Sequence, residues 1–109
     1  MKHFNYRLSD GDIETFLFTL SIMPSIKFDG VSPEQEQLNF ESCVSAGEKL
    51  AARNVNVLPD EIRVMAISLE IASLILSGEI DVDDDIKAEC SQYRFSINKL
   101  LPIFSKIFE

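Results

Sequence analysis

The sequence contains few of the residues from which metal sites and nucleophilic active sites are usually built. It has a single histidine, His3, and two cysteines, Cys43 and Cys90, which lie far apart in the chain. Neither cysteine has a neighbour at a metal-ligand spacing, and one histidine is a poor basis for a Ser–His–acid or Cys–His arrangement. We therefore expect no catalytic residue, no metal and no cofactor, and we interpret both cysteines as buried structural thiols.

The sequence also lacks the signatures of nucleotide, nucleic-acid and membrane binding. It has only four glycines, and neither GxGxxG nor GxxxxGK[ST] occurs, so a nucleotide phosphate cradle is not expected. No arginine-rich stretch is interleaved with aromatic residues, as nucleic-acid binding would require. The most apolar stretch, Val64 to Leu76, is interrupted by Glu70 and is too short to span a bilayer. The first residues lack the apolar core of a signal peptide, which predicts a cytoplasmic protein with free thiols.

The sequence does contain enough apolar residues for a folded core. It has 109 residues, of which 46% are hydrophobic, and this predicts one helical domain covering residues 1–109. Ser9 and Ser32 are candidate N-caps, each the start of a capping box, and Gly78 is a candidate helix stop. Together with a 3.6-residue apolar period, these signals predict the helices. The predicted helices lie near residues 10–23, 33–54, 59–77 and 82–101.

The third predicted helix is expected to be the central and most buried one. Its apolar residues, Ile67 among them, cover most of its circumference, which is typical of a helix with neighbours on several sides. Pro102 is expected to break or kink the last helix. The predicted fold is all-α (mainly α), a compact bundle of four to five helices around a central buried helix, with minor short strands near residues 3–8, 26–28 and 55–57. The predicted buried face of the second helix consists of Phe40, Cys43, Val44, Gly47, Leu50 and Ala51.

The acidic run from Asp81 to Asp85 invites comparison with a calcium-binding loop. An EF-hand loop starting at Asp81 requires glycine at position 6 and a bidentate glutamate at position 12. The sequence has Ile86 and Gln92 at these positions, so the sharp turn and the closing ligand are both missing. We interpret the run as the start of a helix, where acids are favoured, and we expect no calcium binding at micromolar concentration.

The charge of the chain is strongly acidic and unevenly distributed. The formal net charge is −8, and it comes from two blocks: Ser9 to Glu48 has eight acids and one base, and Glu79 to Tyr93 has six acids and one base. Such a charge repels nucleic-acid phosphates and anionic membranes, and it favours a basic protein partner. The alternative is that both blocks serve only solubility. The candidate partner-binding residues are Glu34, Glu41 and Glu48, which are spaced seven apart on one helix face, and Asp83, Asp84 and Asp85.

The C-terminal segment carries a second feature with two interpretations. Phe104, Ile107 and Phe108 form an apolar tail after Pro102. We expect this tail to pack back on the bundle, and the alternative is that it forms a contact with a partner or with a second copy of the chain.

In size, charge and lack of cofactor motifs, the chain resembles two classes of small acidic inhibitor. These are bacterial immunity proteins against nuclease toxins and phage inhibitors that present carboxylates in place of DNA phosphates; the resemblance is one of general character. It implies a non-enzymatic protein-binding module that neutralises a basic partner, most concretely an immunity protein for a bacterial nuclease toxin. The alternatives are a structural or regulatory subunit, as an adaptor or homo-oligomer with an apolar C-terminal surface, and a phage-type nucleic-acid mimic.

Overall fold

The computed structural model describes residues 7–26, 29–54 and 56–107 of the chain. Within these ranges there are helices and turns and no strand, so the predicted strands are wrong for residues 7–8, 26 and 56–57. The other residues of those predicted strands lie outside the described ranges. The elements are α1 (Asp10–Ile22), a 3₁₀ turn (Met23–Ser25), α2 (Pro33–Ala51), α3 (Pro59–Ser77), α4 (Asp84–Gln92) and α5 (Arg94–Ile107).

The start of α1 is fixed by the predicted capping box. The backbone N–H of Asp12 donates to the Ser9 hydroxyl at 3.1 Å, and the backbone N–H of Ser9 donates to a carboxylate oxygen of Asp12 at 3.1 Å. These two hydrogen bonds satisfy donors that the first turn of a helix leaves without partners. At its other end α1 passes into the 3₁₀ turn that contains Pro24, within one residue of the predicted end.

The start of α2 is also confirmed, although only half of its predicted capping box forms. The Ser32 hydroxyl accepts from the backbone N–H of Gln35 at 3.1 Å, while the Gln35 amide donates to Asn39 at 2.9 Å instead of returning to Ser32. The helix ends at Ala51, three residues before the predicted end. It ends there because Arg53 adopts a left-handed conformation with φ of 60°, which turns the chain and lets the N–H groups of residues 53 and 54 satisfy the last carbonyls of the helix.

The third helix, α3, has its predicted boundaries and packs against all four other helices, so its central place is confirmed. Gly78, with φ of 86°, provides the left-handed stop that the sequence indicates. The prediction that α3 is the most buried helix is wrong when burial is taken as the fraction of residues. In α1 eight of 13 residues are buried, and in α3 nine of 19 are buried. Ile67 is only partly buried, since it lies at the edge of the packed face, whereas Leu69 is fully buried.

The predicted last helix is divided into α4 and α5, and the division is at Tyr93 and not at Pro102. Tyr93 stacks on Phe18 of α1 with 5.1 Å between ring centroids, and this contact holds the turn between the two helices. Pro102 lies inside α5 on its exposed side. The helix continues past Pro102 to Ile107, so the proline does not end it.

The core joins α1 to α3 and α5. The rings of Phe16 and Phe104, both fully buried, meet edge to face with 4.9 Å between centroids. The hydroxyls of Thr19 and Ser68 lie 2.9 Å apart and share a buried hydrogen bond between α1 and α3. The expectation that the C-terminal segment packs on the bundle is therefore confirmed for Phe104, while the side chain of Ile107 and all of Phe108 lie outside the description.

Candidate protein-binding surface

Three predicted partner-binding residues, Glu34, Glu41 and Glu48, lie in a row along the exposed side of α2. All three side chains are exposed, and we call them the acidic row. Successive members are about 10.5 Å apart along the helix axis and differ by only about 20° around it, since seven residues are nearly two turns. The row therefore presents three carboxylates on one side of the helix.

Three large apolar side chains on α2 are also exposed, which corrects part of its predicted buried face. Leu38, Phe40 and Val44 expose 41%, 48% and 44% of their surface, and we call them the apolar flank. Phe40 and Val44 lie on one side of the acidic row and Leu38 on the other, because of the 100° rotation per residue. The α2 face comprises the acidic row and the apolar flank.

The physical reason for the correction is the direction from which α2 is covered. It packs on α1, α3 and the 3₁₀ turn, and its buried residues are Ser42, Cys43, Ala46 and Leu50. The predictions for Cys43 and Leu50 are confirmed, Gly47 is partly buried, and Ala51 is exposed like the apolar flank. The apolar arc of α2 is wider than the surface that its neighbours cover, so one edge of the arc remains in solvent.

A groove with both apolar and polar side chains in its walls runs beside the α2 face, between α2 on one side and α1 with the 3₁₀ turn on the other, and we call it the α1–α2 groove. It consists of two adjoining depressions of about 290 Å³ and about 220 Å³, which share Pro24, Phe40 and Cys43 in their walls. The first extends past the 3₁₀ turn to Val31 and is bordered by Glu36. The second extends along α1 to Gly47 and is bordered by Glu48.

The other three predicted residues, Asp83, Asp84 and Asp85, are exposed at the start of α4. Asp83 is the N-cap residue, and its carbonyl accepts the first helical bond, from the backbone N–H of Lys87 at 3.0 Å. The α4 helix packs on α3 and α5, whereas α2 packs on α1 and α3. The six predicted acids therefore form two separate groups with α3 between them, and they do not make one continuous surface.

Two further acids are buried, and each is paired with a lysine. Asp12 lies 2.7 Å from the ammonium of Lys99, and Glu61 lies 2.7 Å from the ammonium of Lys49. Glu61 also accepts from the Ser45 hydroxyl and, at 2.6 Å, from the backbone N–H of Leu58. These charges are used inside the fold and add little to the field outside it.

The pKa values of the two buried acids follow from these contacts. Burial raises the pKa of Asp12, but hydrogen bonds from Lys99 and Ser9 outweigh it, and the pKa lies below the ordinary value of 3.8. Burial likewise raises the pKa of Glu61, and the Leu58 N–H, Lys49 and Ser45 outweigh it, so the pKa lies below 4.5. Both carboxyls are ionised at neutral pH, in the form that accepts hydrogen bonds and pairs with lysine. Sequence reasoning missed both ion pairs, and the only local signal is the position of each acid in the first turn of a helix.

The two cysteines are free and buried, as predicted. Burial raises the pKa of the Cys43 thiol to about 11, and it also raises the pKa of the Cys90 thiol. Cys43 contacts the sulfur of Met23 at 3.6 Å, and Cys90 donates to the carbonyl of Ala72 at 3.6 Å. Both thiols are therefore protonated and shielded at neutral pH, which is the state of a structural cysteine.

Over residues 7–26, 29–54 and 56–107, no three His, Cys, Asp or Glu side chains come together in a way that could hold a metal ion. His3 lies outside these ranges. No helix in the described parts of the chain is both long and apolar enough to cross a membrane. Comparisons of the chain with protein-family models, with curated proteins and with solved structures found no match.

Proposed function

We propose that this protein is an acidic binding module that neutralises a basic partner protein through the α2 face. The most concrete form of the proposal is an immunity protein that occludes the active surface of a bacterial nuclease toxin. Binding, and not catalysis, is the activity, and it takes place in the cytoplasm. The acidic row attracts the partner, and burial of the apolar flank holds it in place.

The observation that carries the proposal is the combination of exposed carboxylates with exposed apolar side chains on one helix. A face that served only solubility would have no reason to expose Phe40, Val44 and Leu38 to water beside the acidic row. Stable protein interfaces have this composition, with large apolar side chains at the centre and charged groups at the rim. Asp83, Asp84 and Asp85 are not flanked in this way, because no large exposed apolar side chain in the described residues belongs to α4. We therefore do not include them in the binding surface.

The spacing of the acidic row favours a protein partner over the mimicry of nucleic acid. One DNA strand presents a phosphate every ~3.4 Å along the helix axis. The carboxylates of the acidic row are about 10.5 Å apart, so they match the phosphate charge density poorly. A row of this kind fits a few separate lysine or arginine side chains on the partner.

A structural or regulatory subunit is the second candidate, and we propose the start of α5 as its contact site in place of the C-terminal segment. Phe104 of the C-terminal segment is fully buried against Phe16 and is not available to a partner. Phe95, at the start of α5, exposes 80% of its surface and is the residue that favours this alternative. A single exposed ring offers one anchor, whereas the α2 face offers three.

Affinity capture from the source cell tests the proposal with two matched variants. Glu34→Gln/Glu41→Gln/Glu48→Gln removes three charges from α2, and Asp83→Asn/Asp84→Asn/Asp85→Asn removes three charges from α4, so net charge is the same in both. We expect wild type and the α4 variant to retain a basic protein at low salt and the α2 variant to lose it. Equal retention by all three proteins would contradict the proposal, and equal loss from both variants would show that net charge alone attracts the protein.

A further inference from the structure

We propose that the α1–α2 groove is the docking site for one amphipathic helix of the partner, with an apolar stripe along one side and lysine or arginine residues beside it. This inference rests on the proposed function and names the kind of segment that the α2 face recognises. It follows from the size of the groove, the chemistry of its walls and the charge around it.

The groove consists of two depressions in a row, which suits successive side chains of a partner. The depressions have volumes of about 290 Å³ and about 220 Å³. They adjoin each other along the length of α2, so they can receive successive apolar side chains of one partner element. From Pro33 to Glu48 the helix is about 22 Å long, which equals a partner helix of about 15 residues.

The walls of the groove determine that its occupant is helical. An extended segment needs main-chain partners for its N–H and C=O groups, as at the edge of a sheet. The walls are the sides of α1, α2 and the 3₁₀ turn, together with Ile26 and Val31 from the connection before α2. The described residues contain no strand, so these walls offer no sheet edge. A helix satisfies its own backbone and presents apolar anchors at positions i, i+3 or i+4, and i+7, which is the known way of filling a groove between helices.

The charge around the groove determines that the partner helix is basic. Glu36 and Glu48 border the two depressions, and Glu41 lies between them on the α2 face. From Asp10 to Ser25, and in α2 before Lys49, there is no lysine or arginine, and Lys49 itself is paired with Glu61. Arg63 of α3 donates to Asn39, in the wall of the first depression, at 2.9 Å. Along α2 itself, a partner helix with acidic flanks would meet Glu36, Glu41 and Glu48 as like charges, whereas lysine and arginine flanks meet them as opposite charges.

Gly47 provides a way to close the groove without changing its charge. It lines the α1 part of the groove, and a Cβ atom built on it would lie 4.0 Å from Leu17, an ordinary contact distance. Gly47→Ala therefore fits, leaves most of the groove open and favours the helix. Gly47→Met carries a longer side chain into the groove and occupies the space of a partner anchor. Phe40→Ala, at a half-exposed position, removes one wall and is the second variant if Gly47→Met does not fold.

The test uses a synthetic, fluorescein-labelled helical peptide of about 15 residues with leucines on one side and lysines on the other. The control peptide has the same composition with its leucines dispersed around the helix. We expect the amphipathic peptide to shift amide signals of α1, the 3₁₀ turn and α2 in ¹⁵N spectra. Gly47→Met and Phe40→Ala should each weaken its binding about tenfold, since each removes one buried anchor contact, and Gly47→Ala should change it less than about twofold.

Several outcomes would overturn the inference and leave the proposed function standing. These are equal binding of the two peptides, no binding of either, unchanged binding by Gly47→Met and Phe40→Ala, or amide shifts centred on Phe95. If the protein dimerises in sedimentation runs and Gly47→Met abolishes the dimer, the occupant is a second copy of this chain and the inference is also wrong. The variant Glu34→Gln/Glu41→Gln/Glu48→Gln distinguishes failure of this inference from failure of the proposed function. If the proposed function is wrong, neither capture of the partner nor binding of the peptide changes when these three charges are removed.

Discussion

Replacing Phe104 by alanine tests whether the C-terminal segment belongs to the core. The Phe104 ring is fully buried and lies edge to face on Phe16, 4.9 Å away between centroids. Truncation of a buried phenylalanine costs about 3–5 kcal/mol, including about 0.5–1.5 kcal/mol for the lost ring contact. The whole fold of a chain of this size is stable by about 5–15 kcal/mol, so the loss is a large fraction of it. We expect the melting temperature to fall by roughly 12–20 °C.

The matched control is Phe95→Ala, which removes the same ring from the same helix at a position that is 80% exposed. Exposed substitutions of this kind change stability by about 0.5 kcal/mol or less. Urea unfolding followed by circular dichroism measures both variants against wild type. If Phe104→Ala and Phe95→Ala cost the same, Phe104 is not buried, and the apolar C-terminal contact of a structural subunit becomes the better interpretation.

Three further predictions follow from buried groups. The pKa of Glu61 is lowered in the fold, so its ionised form stabilises the protein at pH values above the ordinary pKa of 4.5. This stabilisation is lost as the pH falls through the folded-state pKa. The free energy of unfolding, measured in urea from about pH 7 to about pH 3.5, should therefore fall more steeply for wild type than for Glu61→Gln. Parallel curves for the two proteins would contradict this. Cys43 and Cys90 should react with a thiol reagent at about pH 8 only in denaturant, and rapid reaction of the native protein would mean that they are accessible. Leu69→Asp places a carboxylate in the core and should unfold the protein, whereas Ile67→Asp, at a partly buried position, should only lower the melting temperature. Equal melting temperatures of the two variants would show that this difference in burial has no effect.

The parts of the fold that could be predicted from the sequence are those set by neighbouring residues. Ser9, Ser32 and Gly78 mark helix ends through hydrogen bonds or backbone angles that involve only a few adjacent positions. The end of α2 could not be predicted, because Arg53 adopts a left-handed conformation that usually belongs to glycine. The break at Tyr93 could not be predicted either, because it is held by a ring from α1, a contact that no local pattern contains.

The same distinction applies to the candidate surface. The acidic row could be predicted because seven-residue spacing places side chains on one helix face whatever the rest of the fold does. The exposure of Phe40 and Val44 could not, because it depends on where α1 and α3 approach α2. A buried face inferred from apolar period alone is as wide as the whole apolar arc, whereas the fold covers only part of that arc.

The measurement that tests the central claim most directly is the association rate of the captured partner at two salt concentrations. Stopped-flow mixing at about 0.01 M and about 1 M salt covers screening lengths of ~30 Å and ~3 Å. We predict that wild type associates at least about tenfold faster at low salt, and that Glu34→Gln/Glu41→Gln/Glu48→Gln loses most of this advantage while Asp83→Asn/Asp84→Asn/Asp85→Asn keeps most of it. If the variant without the acidic row associates as fast as wild type at both concentrations, the row serves only solubility and the α2 face is not the binding surface.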